Sequence, residues 1–150
     1  VFREDCDIWD TMNAVVSYSN GVQMSYSVNA FMPVEGFRLA FNCEKGRIEV
    51  RDWERQGWEV PYETEVVVAR SFRKEPERMT LQRREGGHSG GDPRLLDAVF
   101  GSEPVPEPLR VPDSRAGAMS CLTGIAARTS AETGRKVKVA DLAREAGLET

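Results

Sequence analysis

The sequence predicts an α+β fold, an α/β sandwich. One large, mostly antiparallel open sheet of about six strands carries helices on one face. Three observations predict it. The first half alternates apolar and polar residues with period two. Short turn signals separate those runs, which favours antiparallel pairing. The second half changes to helical spacing with capping residues at both ends.

In "VQMSYSVNAFM", Val22, Met24, Tyr26, Val28, Ala30 and Met32 alternate with Gln23, Ser25, Ser27, Asn29 and Phe31. That is a strand with one buried face. "NAVVSYS" precedes it as a second strand. Asn20-Gly21 joins the two, and this dipeptide predicts a type I′ turn. Pro33 and Gly36 break the next connection. "FRLAFNC" and "GRIEVRDW" form a hairpin around Glu44-Lys45-Gly46. "TEVVVAR" and "RMTLQRRE" complete the set, with "ERQGWEVPYE" irregular and "RSFRKEPE" a polar loop.

Asp92 is then a good N-cap, and Pro93 suits the first helical position, where a missing N–H costs nothing. Leu95, Leu96, Val99 and Phe100 give an apolar face, and Gly101 ends the helix. The proline-rich "SEPVPEPLRVP" is an extended connector. Asp113 or Ser114 caps the longest helix, which Gly134 closes. Its Ala116, Gly117, Ala118, Ser120, Cys121, Gly124, Ala126 and Ala127 leave one side nearly smooth, suited to burial against the sheet. "KVKVADLAREAG" predicts a short strand and a last helix with Leu142 and Ala146 inward.

The 150 residues suit a single domain, with no repeats and no linker long enough for a second. The net charge of -4 offers no excess of cations for a phosphate backbone, so nucleic acid is excluded as a partner. No apolar run reaches membrane-spanning length. Three scattered cysteines, Cys6, Cys43 and Cys121, argue for reduced thiols and a cytoplasmic protein. The chain opens at Val1 in acidic, structured-looking sequence, as a piece of something longer would.

The stretch that raises chemistry is "EGGHSGGDPRLLDAVFG", Glu85 to Gly101. It holds the only histidine, His88, between the pairs Gly86-Gly87 and Gly90-Gly91, with Asp92 next. The stretch lacks the Lys-Ser/Thr ending of a P-loop and the βαβ setting of a Rossmann turn. Two readings stand. The glycines make a tight turn in which Asp92 merely caps a helix. Alternatively, the loop brings His88 and Asp92 against a ligand, where backbone N–H groups meet oxygens and the imidazole handles a hydroxyl proton.

Other candidates carry less. Glu4, Asp5, Asp7 and Asp10 have no histidine beside them and suit a solvated segment better than a metal. Tyr18 and Tyr26 suit sheet packing. Trp9, Trp53 and Trp58 suit packing or an interface. The cysteines have no basic partner for nucleophilic catalysis. Arg70, Arg73, Lys74, Arg78, Arg83 and Arg84 are interrupted by glutamates, as on a solvated sheet edge.

Three blocks together resemble the C-terminal domain of a Gfo/Idh/MocA family oxidoreductase, the family of glucose-fructose oxidoreductase and inositol dehydrogenase. They are "SNGVQMSYSVNAFMPVEGFRLAFNCEKGRIEV", "GGHSGGDPRLLDAVF" and "DSRAGAMSCLTGIAARTSAETGRKVKVADL". The resemblance runs from about Asp7 to Leu142 and is closest to a group with a Gly-Gly-His-Gly-Gly-Gly-Asp loop. Ser89 stands where that group has glycine.

The resemblance implies a two-domain parent enzyme oxidising a sugar, cyclitol or related polyol. Its N-terminal Rossmann domain, absent from this chain, would bind NAD or NADP. This chain, 1–150, would be the C-terminal substrate and oligomerisation domain. His88 and Asp92 would face the substrate, with Ser89, Gly90 and Gly91 beside them, and His88 would assist or orient. No cofactor-binding or metal-binding residue is expected in the chain, and the chain alone is expected to be inactive. The open sheet face would make a homo-oligomer, a dimer or larger. An alternative of another class is a self-associating structural module whose contact is the sheet, through Ser25, Ser27, Asn29 and Phe31.

Overall fold

Strands occupy the first part of the chain and helices the second. The protein is seen in a computed structural model that describes residues 4–5, 7–55, 63–82, 85–102, 104–107 and 111–148. The strands are β1 (Thr11–Ser17), β2 (Gln23–Asn29), β3 (Glu35–Cys43), β4 (Gly46–Arg55), β5 (Glu63–Arg70) and β6 (Glu77–Gln82). The helices are α1 (Gly87–Phe100), α2 (Ser114–Thr133) and α3 (Val139–Glu145). Every strand pairing is antiparallel, so the fold is the expected α+β class. The chain divides into two compact units, 1–92 and 93–150.

The six strands form two sheets rather than one: β1-β2, and β3-β4-β5-β6. Pro33, which has no N–H to donate to a ladder, interrupts the chain between β2 and β3. The turn of the first hairpin also differs from the expected type I′. Gly21 alone takes positive φ (86°). The Gly21 N–H bonds the Tyr18 carbonyl at 3.0 Å, and the Tyr18 N–H bonds the Val22 carbonyl at 2.9 Å. Asn20 contributes its side chain instead of its backbone: Oδ1 accepts from the Val22 N–H at 3.1 Å. That side-chain turn supports a longer loop with one left-handed residue.

In the four-stranded sheet the register sorts the side chains by face. Phe37, Leu39 and Phe41 of β3 lie opposite Asp52, Val50 and Ile48 of β4. Ile48, Val50 and Asp52 in turn face Val68, Val66 and Thr64 of β5, and Val66 and Thr64 face Met79 and Leu81 of β6. This face is apolar apart from Asp52, Thr64 and the Glu77 end. It is only half covered: Val50, Val66 and Val68 are half-buried, while the outer residues reach 53 % exposure at Phe41. The opposite face carries cross-strand charge. Glu65 of β5 meets Arg78 of β6 at 2.8 Å and Arg51 of β4 at 3.9 Å, and within β4 Glu49 meets Arg47 at 2.6 Å. The Arg38 guanidinium lies 5.4 Å from the Trp53 ring centroid.

In the second unit, Asp113 rather than Ser114 caps α2, its Oδ1 accepting from the Ala116 N–H at 2.8 Å. Gly134 closes the helix at φ 66°, its N–H on the Ser130 carbonyl. Helices α2 and α3 pack together. Ala126 of α2 and Ala143 of α3 are buried there, while Leu142 is half-buried and Ala146 exposed. The smooth side of α2 is buried only in part, since Ala116, Gly117, Ser120, Cys121 and Gly124 are exposed. The short strand expected in "KVKV" does not form: 136–138 is irregular and Val139 begins α3. Trp58, Cys6, Arg83, Arg84 and most of the irregular segment expected over 54–63 lie outside the described residues.

Candidate functional site

The glycine loop leads into α1 by an unusual path. His88 (φ 50°, ψ 47°), Ser89 (57°, 38°) and Gly90 (83°, 10°) are consecutive left-handed residues. The Gly90 N–H returns to the Gly86 carbonyl at 3.3 Å, closing one left-handed turn. The chain then continues right-handed into α1. Glycine tolerates this geometry, but for His88 and Ser89 it costs about 1–2 kcal/mol each. Ser89 thus holds a conformation that suits glycine.

This turn brings the His88 ring to the Asp92 carboxylate. Nδ1 lies 2.8 Å from Oδ1 of Asp92, one residue turn along the chain. Asp92, expected as the N-cap of α1, stands near the start of its right-handed part, which follows Gly90, and its carboxylate reaches back to the imidazole. A carboxylate only accepts hydrogen bonds, so Nδ1 of a neutral ring carries the proton. Nε2 is left as a bare acceptor. The His88 side chain is 87 % exposed, so Nε2 is open to a ligand. Ser89 is half-buried and Gly90 buried. The loop therefore brings together His88 and Asp92, with Ser89, Gly90 and Gly91 forming the backbone that joins them.

One feature was legible only in three dimensions. Gly87 lies so close to Asp92 that a Cβ added there would overlap Oδ2 and come within 3.1 Å of Cγ. A second polar pair also went unread. The Thr64 hydroxyl donates to the Asp52 carboxylate across β4 and β5, on the otherwise apolar face, and Asp52 is buried. The in-phase run Ile48, Val50, Asp52 was the signal that could have found it.

Elsewhere, charge is arranged on the exposed sheet face and edge. Arg47 donates to Glu49 and holds its carboxyl below the usual carboxylate value. Arg70 does the same for Glu77, and Glu77 in return raises the Arg70 guanidinium. Tyr26 and Ser25, Ser27, Asn13, Ala14 and Val15 line a shallow open depression on the β1-β2 hairpin. Cys43 and Cys121 are free and exposed. Among the described residues, no group of three or more His, Cys, Asp or Glu is placed to hold a metal ion, and no helix is long and apolar enough to cross a membrane.

No family model matches the chain, and no solved structure matches it. Among curated proteins, it is similar to one from Bacillus subtilis (strain 168) named "Putative oxidoreductase YteT". The chain resembles part of a larger protein. Identity is 35 % over 127 residues, which are 83 % of this chain and 29 % of that protein.

Proposed function

We propose that this chain is the C-terminal substrate-binding and oligomerisation domain of a dehydrogenase that oxidises a sugar, cyclitol or related polyol. The observation that carries the reading is the exposed imidazole whose Nδ1 is held by Asp92 on a strained glycine loop. Backbone strain of this kind persists where the surroundings over-determine it, and it clusters at ligand sites. The similarity to a protein named as an oxidoreductase supports the same reading.

Oxidising a secondary alcohol removes the hydroxyl proton to a base and a hydride from the carbon, which the NAD or NADP of the parent enzyme would accept. His88 acts on that proton. The substrate O–H bond breaks and the Nε2–H bond of His88 forms, leaving an imidazolium whose charge the Asp92 carboxylate stabilises. Asp92 thereby fixes both the tautomer and the ring orientation. The Ser89 to Gly91 backbone sets where a second hydroxyl can approach. The described residues do not fit a dinucleotide. The Gly86–Gly91 loop follows antiparallel β6, not a parallel strand of a βαβ unit. NAD or NADP would be held by an N-terminal Rossmann domain, in a cytoplasmic enzyme of which this chain alone is inactive.

The site is tested by titrating the chain with a panel of sugars and cyclitols while following the ring signals of its single histidine. Saturable shifts at His88 for one chemical class, lost in Asp92→Asn, are expected. A ring that responds to no member of the panel would contradict the reading.

A second reading is a self-associating structural module. The half-exposed apolar face of β3-β6, including Phe37, Leu39, Phe41 and Met79, favours it. A second copy would cover that face, or the Ser25, Ser27, Asn29 and Phe31 surface of β2. Concentration-dependent mass in sedimentation, abolished by Phe41→Lys but with no polyol response at His88, would favour this reading over the first.

A further inference from the structure

We infer that Gly87 is a positioning residue for the His88 imidazole, acting through the Asp92 carboxylate. The argument is steric. Asp92 Oδ1 meets His88 Nδ1 at 2.8 Å, and its other oxygen occupies the space where a side chain at Gly87 would begin. The added Cβ would overlap Oδ2, lie 3.1 Å from Cγ and lie 3.6 Å from Cβ of Asp92. Only the last of these is an ordinary contact. Gly87 is not among the residues with positive φ, so its backbone alone does not demand glycine. What excludes a side chain is the carboxylate.

The half-exposed carboxylate is the group that must move to admit a side chain, and moving costs its contact with the imidazole. It is tethered on one side by the imidazole and on the other by the first turn of α1, in which Asp92 sits. The left-handed turn at His88, Ser89 and Gly90 fixes the spacing between the two partners. A methyl group at Gly87 therefore turns Asp92 away from Nδ1. The neutral ring then loses the acceptor that holds its proton on Nδ1, and Nε2 is no longer kept bare. Gly91 is the contrast. A Cβ there meets only Cβ of His88, at 3.7 Å, and Gly91 also lacks positive φ. Two glycines of one loop thus have different duties: Gly87 makes room for the carboxylate, and Gly91 does not.

The functional meaning of this rests on the proposed role of His88 at a substrate hydroxyl, but its test does not. The chain has one histidine, so ring ¹⁵N spectra carry one pair of signals. At a pH where the ring is neutral, wild type is expected to show protonated Nδ1 and bare Nε2. Gly87→Ala is expected to lose that preference, while Gly91→Ala keeps it. A wild-type ring protonated on Nε2, or a Gly87→Ala ring identical to wild type, overturns the inference. A second comparison holds if Gly87→Ala folds poorly. In the Asp92→Ala background the obstructing oxygens are gone, so adding Gly87→Ala is expected not to lower Tm. An equal fall in Tm in both backgrounds overturns the inference. Polyol binding that fails while the tautomer behaves as expected refutes the dehydrogenase reading alone.

Discussion

Nδ1 of His88 lies 2.8 Å from Oδ1 of Asp92, across four residues and a left-handed turn. The pairing leaves the other ring nitrogen free and exposed, which is the arrangement a proton acceptor needs. Asp92→Asn keeps the shape and removes the charge. An amide can also present its NH₂ to Nδ1 and reverse the tautomer. In the proposed parent enzyme, kcat/KM is expected to fall by roughly 10²–10⁴-fold with the fold intact. Steady-state kinetics beside circular dichroism checks it; unchanged kinetics would remove Asp92 from the chemistry.

Ser89 pays for a φ of 57°. Glycine there avoids the steric cost but loses more chain entropy on folding. The balance favours Ser89→Gly by about 1 kcal/mol. Urea denaturation measures the difference. A clear loss of stability would mean that the serine side chain makes a contact worth more than the strain.

Asp52 is a buried carboxylate on an apolar sheet face, and Thr64 is one of its donors. Thr64→Val preserves shape and β-branching but removes that donor. The expected cost is about 1–3 kcal/mol, because the carboxylate stays buried with less to satisfy it. An unchanged denaturation midpoint would show that its remaining interactions suffice.

Glu49 and Glu77 are held below the ordinary carboxylate value of 4.5, chiefly by hydrogen bonds from Arg47 and Arg70. Groups lowered on folding bind fewer protons folded than unfolded. Their contribution is full above 4.5 and is lost as pH falls through the lowered folded values. Both pairs are exposed, so the effect is small and weakens with salt. Thermal melts of Arg47→Gln and Arg70→Gln from neutral to acid pH should show a shallower decline than wild type. A slope identical to wild type would mean that the pairs are screened out entirely.

The parts of this fold that were legible were those written in periodicity over many residues. Seven positions of β2 alternate and the strand forms, but only Met24 is partly covered while Tyr26 and Val28 are exposed, so the one buried face expected of it is not seen. "KVKV" alternates too, but four residues cannot outweigh the helix that begins at Val139. Asn20-Gly21 predicts where the turn falls but not its type, because the Asn20 side chain takes the place of a backbone bond. Its place before Pro93 predicts a cap at Asp92. Nothing local indicates that His88 and Ser89 turn left-handed and draw the carboxylate back. The flanking glycines were the only trace of it. The ladder of Arg51, Glu65 and Arg78 was equally hidden until the register put β4, β5 and β6 side by side.

The most direct measurement is the activity of the proposed parent dehydrogenase, with NAD or NADP and a panel of sugars and cyclitols, comparing wild type with His88→Ala. The His88 side chain is 87 % exposed, so its removal leaves the fold in place. A loss of roughly 10²–10⁴-fold in kcat/KM at unchanged Tm is the predicted result. An unchanged kcat/KM would contradict the account: the loop would then be only a turn, and the chain would contribute shape and assembly rather than chemistry.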